Sequence, residues 1–116
     1  MKLQDIDFRI WNNEDATYEH PSNIIRILQD KYSGKDVSKY SIELFTGLIG
    51  KNDKKIYEGD ILSIYDSGDF INCSVFYNKD EARFVAIVDD EEEDLTWYSD
   101  IEVVGNIHEN KDLLKE

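Results

Sequence analysis

The sequence holds one cysteine, one proline and one methionine among 116 residues, and basic residues are outnumbered two to one by acids. Each shortage excludes something. A lone thiol, Cys73, can neither close an intramolecular disulfide nor begin a cysteine-based zinc site, so a reducing cytoplasm is the expected setting. No apolar run approaches the about 20 residues that a membrane-spanning helix needs. The opening Met1-Lys2-Leu3-Gln4-Asp5 carries acid where a secretory leader would be hydrophobic. Neither membrane insertion nor export is expected. The balance of 13 Lys and Arg against 26 Asp and Glu gives a net charge of −13. Nucleic-acid binders need a basic footprint to release counterions from phosphates, so direct nucleic-acid binding is not expected either.

What is present is the composition of a globular domain, 41% apolar and 12% aromatic, with seven tyrosines. At this length a single domain with one core is expected. The pattern is mostly one of strands. Ile6, Phe8 and Ile10 alternate with Asp7, Arg9 and Trp11, and the run stops at the turn-forming Asn12-Asn13-Glu14-Asp15. Residues 21–33 change to helical spacing through Ile24, Ile25, Leu28 and Tyr32, with Ile27 flanking, Pro21-Ser22 at the start and Gly34 just past the end. This is the one substantial helix. From Tyr40 the period of two returns over 40–46, 60–66, 70–78, 83–88 and 101–108. Ile71, Cys73, Val75 and Tyr77 share one face, as do Phe84, Ala86 and Val88, and the link at 78–81 predicts an antiparallel hairpin. Gly59 stands where a bend delivers strand 60–66, with Asp60 placed to bond nearby amides. The reading is a mainly β fold, a small SH3-like barrel or strongly bent antiparallel sheet with one added N-terminal helix. The strand and helix occupy residues 1–39 and the barrel 40–116 of a single domain.

Three blocks of residues stand out: Phe8-Arg9-Ile10-Trp11, then Thr46-Gly47-Leu48 with Tyr57-Glu58-Gly59-Asp60-Ile61, then Glu102-Val103-Val104-Gly105-Asn106-Ile107-His108-Glu109-Asn110. In kind and order they resemble the signature of the YopX family, small proteins of phages and prophages of Gram-positive bacteria. The departures are Asn52-Asp53 where Asn-Gly is usual, His108 where Tyr is common and Lys111 where Pro often follows. They mark a divergent member. The resemblance implies an SH3-like barrel with an added helical element and a phage origin, and it implies no activity. The matching residues Phe8, Arg9, Trp11, Thr46, Gly47, Leu48, Tyr57, Glu58, Gly59, Asp60, Gly105, Asn106, Glu109 and Asn110 are expected to be structural, with Arg9 paired to a carboxylate and the acids capping turns.

Functional signals are few. Residues 81–100 carry eight acids against Arg83 alone, about half of the whole imbalance. Within them Asp89-Asp90-Glu91-Glu92-Glu93-Asp94 reads as a solvated, mutually repelling loop, exposed and mobile. It lacks the alternating ligands and glycine of a calcium loop. It could instead present phosphate-like charge to a basic partner. The candidate partner-binding residues are these six acids with Trp11 and Trp97. Cys73 reads as a small buried hydrophobe. His20 and His108 have no patterned partner, and no phosphate loop, Gly-x-Ser-x-Gly or paired-histidine motif occurs. No catalytic residue, cofactor or metal is expected. The leading expectation is an interaction module acting on a host or phage protein, a basic one included. The alternatives are an assembly homo-oligomer and, last, a small metal-dependent enzyme.

Overall fold

A computed structural model describes residues 1–114. The fold is mainly β with one α-helix, as the period-two pattern predicts. The chain condenses into two compact units, Met1–Leu44 and the remainder from Phe45.

The first unit contains β1 (Phe8–Asn12), β2 (Thr17–Tyr18), the helix α1 (Pro21–Tyr32) and the first half of β3 (Tyr40–Ile49). β1 pairs antiparallel with β2 and β3, in registers that set Trp11 opposite Tyr18 and Arg9 opposite Glu43. α1 begins where expected. His20 is its N-cap: Nδ1 accepts from the Ser22 N–H at 3.1 Å, and Pro21 occupies the first turn, where a missing N–H costs nothing. The buried face differs from the sequence expectation. Ile27 is the buried residue and Ile24 and Leu28 flank it, while Ile25 and Tyr32 are exposed. A rotation of 100° per residue groups Ile24, Ile27 and Leu28 and leaves Ile25 on the other side.

The second unit holds β4 (Lys55–Tyr57), β5 (Asp60–Asp66), β6 (Asp69–Asn78), β7 (Arg83–Val88), β8 (Glu91–Asp94) and β9 (Glu102–Asn106). The second half of β3 pairs with β4. The last five strands form an antiparallel sheet in the order β8-β7-β6-β5-β9, curled as a half-barrel. Its core is Ile56, Leu62, Ile64, Cys73, Val75, Ala86, Val88 and Leu95. Leu62 and Ile64, Cys73 and Val75, and Ala86 and Val88 are alternate residues that the sequence places on one face of a strand, whereas Ile56 and Leu95 lie outside the predicted strands.

Turn chemistry sets the registers. β5 and β6 join through Ser67-Gly68, both at positive φ, the two-residue connection whose twist matches that of the strands. The β6–β7 hairpin is the expected one, with Asn78 opposite Arg83. Its loop is closed by the Asn78 Oδ1, which accepts from the Asp80 and Glu81 N–H groups at 3.0 and 3.1 Å. The same device recurs in the first unit, where Asn12 Oδ1 accepts from Glu14 and Asp15 N–H groups. In both loops the residue before the next strand is an alanine at positive φ, Ala16 or Ala82. Asn side chains mimic a backbone turn in this way, which is why Asn leads each loop.

Candidate functional site

The acidic run is not a loop. Only Asp89 and Asp90 turn, with φ of 50° and 65°, and Glu91–Asp94 form the edge strand β8. β8 pairs with β7 from Val88 opposite Glu91 to Val85 opposite Asp94. The expectation of a loop fails at Glu91–Asp94 because the two-residue connection brings them into backbone hydrogen bonding with β7, which outweighs repulsion between side chains screened by solvent. Strand alternation then sends Glu91 and Glu93 to one face and Glu92 and Asp94 to the other.

Nor does the run lack neighbours. Asn78 Nδ2 donates to Glu92 at 2.8 Å. Arg83 donates to Glu81 at 2.6 Å and its other nitrogen lies 4.0 Å from Asp94. The hydrogen bond to Glu81, with the charges of Asp94 and Glu92, raises the Arg83 pKa. Asp94 also caps the short 3-10 turn Leu95–Trp97, accepting from the Thr96 hydroxyl at 2.7 Å and the Thr96 N–H at 2.9 Å. Those two bonds hold its carboxyl below the usual range. Leu95 is buried in the core, and the turn it anchors leaves Trp97 72% exposed.

The charge is divided unevenly between the units. From Phe45 onward there are eighteen acids and seven bases, a balance of −11, whereas residues 1–44 hold eight acids and six bases, a balance of −2. Trp11 belongs to the second group and is not available to a partner. It is 5% exposed and meets the Tyr18 ring edge-on at 4.8 Å. The Arg9 guanidinium lies over the Tyr18 ring, 4.7 Å from its centroid, and its Nε donates to Glu43 at 2.7 Å. The Tyr18 hydroxyl donates to the same Glu43 oxygen at 2.9 Å.

The other motif residues form turns and a bulge. Thr46-Gly47-Leu48 is a bulge in β3, since four steps from Phe45 to Ile49 face two steps from Tyr57 to Lys55. The Thr46 hydroxyl donates to the Ile56 carbonyl and accepts from the Leu48 N–H, Gly47 takes a φ of 89°, and Leu48 packs on the core. Tyr57 stacks near Phe45 and donates its N–H to the buried Asp60 at 2.8 Å. Glu58 and Gly59 make the turn between, with Gly59 at a φ of 87° as the expected bend. At the C-terminal block, Asn106 Oδ1 accepts from His108 and Glu109 N–H groups while its Nδ2 donates to Glu109. This is a third use of the asparagine turn.

Cys73 is fully buried, and burial alone pushes its thiol up to about 12. Among the described residues no group of three or more His, Cys, Asp or Glu side chains is placed to hold a metal. No helix among them is long and apolar enough to cross a membrane.

A half-barrel meander with an acidic strand at one end of its sheet and an asparagine turn after the other defines a small, mainly β protein. The chain belongs to the YopX family: the model of the YopX protein matches residues 5–115, taking in all three blocks. The crystal structure of protein EF1440 from Enterococcus faecalis has a similar fold, with a TM-score of 0.60 at 20% identity over 95% of this chain and 98% of that one. No curated protein matches the sequence.

Proposed function

We infer that the protein is a non-catalytic interaction module that engages a basic surface of a host or phage protein in the bacterial cytoplasm through the acidic edge of its second unit. The observation that carries this reading is the carboxylate ladder of β8. Strand pairing fixes Glu91, Glu92, Glu93 and Asp94 at regular spacing on the last strand of the sheet. An ordered ladder gives up less freedom on binding than a disordered run would. Like charges gathered in one place also speed encounter with an oppositely charged partner. Trp97 follows directly and is exposed, a side chain of the type that anchors interfaces.

A second reading rests on a different observation. Tyr65 and Phe70 form an exposed cross-strand pair with ring centroids 5.2 Å apart, a contact surface suited to a homo-oligomer. In that case the acids on β8 serve to keep a sheet edge from pairing with other chains.

Affinity capture at low salt, with the unmodified protein and with a Glu91→Gln, Glu92→Gln, Glu93→Gln variant, separates the two. The interaction reading expects a basic protein retained by the first, released by roughly 0.3 M salt as screening shortens, and absent from the second. A variant that keeps its partner removes the electrostatic case. A salt-resistant oligomer of the unmodified chain puts assembly first.

A further inference from the structure

We propose that the first unit contains a binding pocket for a small amphipathic anion, an organic carboxylate with an apolar body. Between α1 and the β1–β3 pair lies a cavity of about 330 Å³, walled by Ile10, Ile27, Leu28, Tyr32 and Ile42. Its size and apolar lining are those of small-molecule sites, which run from roughly 300 Å³ upward with a few polar groups to orient the ligand.

The charge of the ligand follows from the wall. In a chain of net charge −13, Lys31 is the only charged residue among the described residues that line the cavity. Its ammonium lies 4.5 Å from the centroid of Tyr32, another wall residue. The adjacent carboxylate, Asp30, is engaged by Arg26 at 3.6 Å and Lys35 at 3.5 Å. A carboxylate at the mouth therefore meets a cation, and its apolar tail meets aliphatic and aromatic carbon. The mouth is open, with Tyr32 82% and Ile42 53% exposed.

The unit has reason to take such a ligand. Its buried apolar residues are only Ile10, Trp11 and Ile27, so an apolar body in the cavity would add to a sparse core. Binding to the folded form alone must also raise its thermal midpoint.

The test uses octanoate and its uncharged counterpart octanol with the full chain. Saturable binding of octanoate is expected, with amide shifts centred on Tyr40, Ser41 and Ile42, a rise in melting temperature, and weaker binding of octanol. Lys31→Gln alters an exposed side chain and should weaken octanoate by about three- to tenfold, the worth of one charge-assisted contact, while leaving octanol unchanged. Non-saturable octanoate binding, equal affinity for the two probes, an unaffected Lys31→Gln variant, or shifts centred beyond Leu44 would each overturn the proposal.

Discussion

The side chain of Asn110 occupies the space that a β carbon on Gly105 would need. Such a carbon would lie 2.7 Å from the Asn110 side chain. Asn110 is held there from both sides: its Oδ1 accepts from the Asn106 N–H at 3.1 Å, and its own N–H donates to the Asn106 carbonyl at 2.9 Å. Glycine is required at 105 by a neighbour, not by its backbone angles.

Gly105→Ala should therefore lower stability by about 1–3 kcal/mol, the usual cost of forcing atoms into a filled site. Asn110→Ala should lower it by about 1 kcal/mol through the lost hydrogen bond. In the double variant the Cγ and Oδ1 contacts are gone and only the β carbon of residue 110 still crowds the alanine at 105, so the two losses should fall short of adding. Urea unfolding of the four proteins in the cycle reads this coupling directly. Additive losses would show that the close approach does not matter.

Ala16 and Ala82 pay for their loops with left-handed φ values of 56° and 55°. Replacing either by glycine removes the clash of Cβ with the backbone, and about 0.5–1 kcal/mol of added stability is expected after the greater freedom of glycine in the unfolded chain is counted. Melting temperatures of Ala16→Gly, Ala82→Gly and the pair should rise, and nearly additively, because the loops share no partner.

The acids of 89–94 should divide into two classes. Glu91→Gln and Glu93→Gln relieve repulsion without removing a bond of the turn, so stability should hold or rise slightly. Asp94→Ala removes the cap on Thr96 and should lower the urea midpoint. This loss should also depend on pH. The folded carboxyl of Asp94 sits below its ordinary value, so its contribution is present above pH about 4 and disappears as pH falls through the folded value. The gap between unmodified protein and Asp94→Ala should accordingly close in acid; a gap that stays constant would assign the loss to packing.

Cys73 should react with thiol reagents only through unfolding. With its thiol pushed up to about 12 and its side chain in the core, the thiolate is scarce at neutral pH and shielded when it forms. Labelling rates should climb with denaturant in step with the unfolded fraction. Rapid labelling in native buffer would contradict the burial.

The chain by itself determined much of this protein. The sequence places β5 at 60–66 and β7 at 83–88 with the bounds the structure has, because each is a short run rich in β-branched and aromatic residues closed off by turn-forming ones, a signal that survives burial of both faces at Ile61 and Leu62 or Val85 and Ala86. His20-Pro21-Ser22 and Gly34 bracket the helix, and Gly59 marks the bend before β5, because each is a local backbone requirement. Other features were decided only in three dimensions. β8 carries four acids and shows no apolar period, so its strand character comes wholly from pairing with β7 across the Asp89-Asp90 turn. Trp11 alternates onto the polar side of its strand in sequence, yet is buried by Tyr18 from a two-residue strand too short to announce itself. The partner of Arg9 is Glu43, thirty-four positions away, and the atom that excludes a side chain from Gly105 belongs to Asn110. Propensity, capping and periodicity act over a few neighbouring residues, so they can be read along the chain; an edge strand, a buried ion pair or a filled space depends on which distant groups the finished fold brings within contact distance.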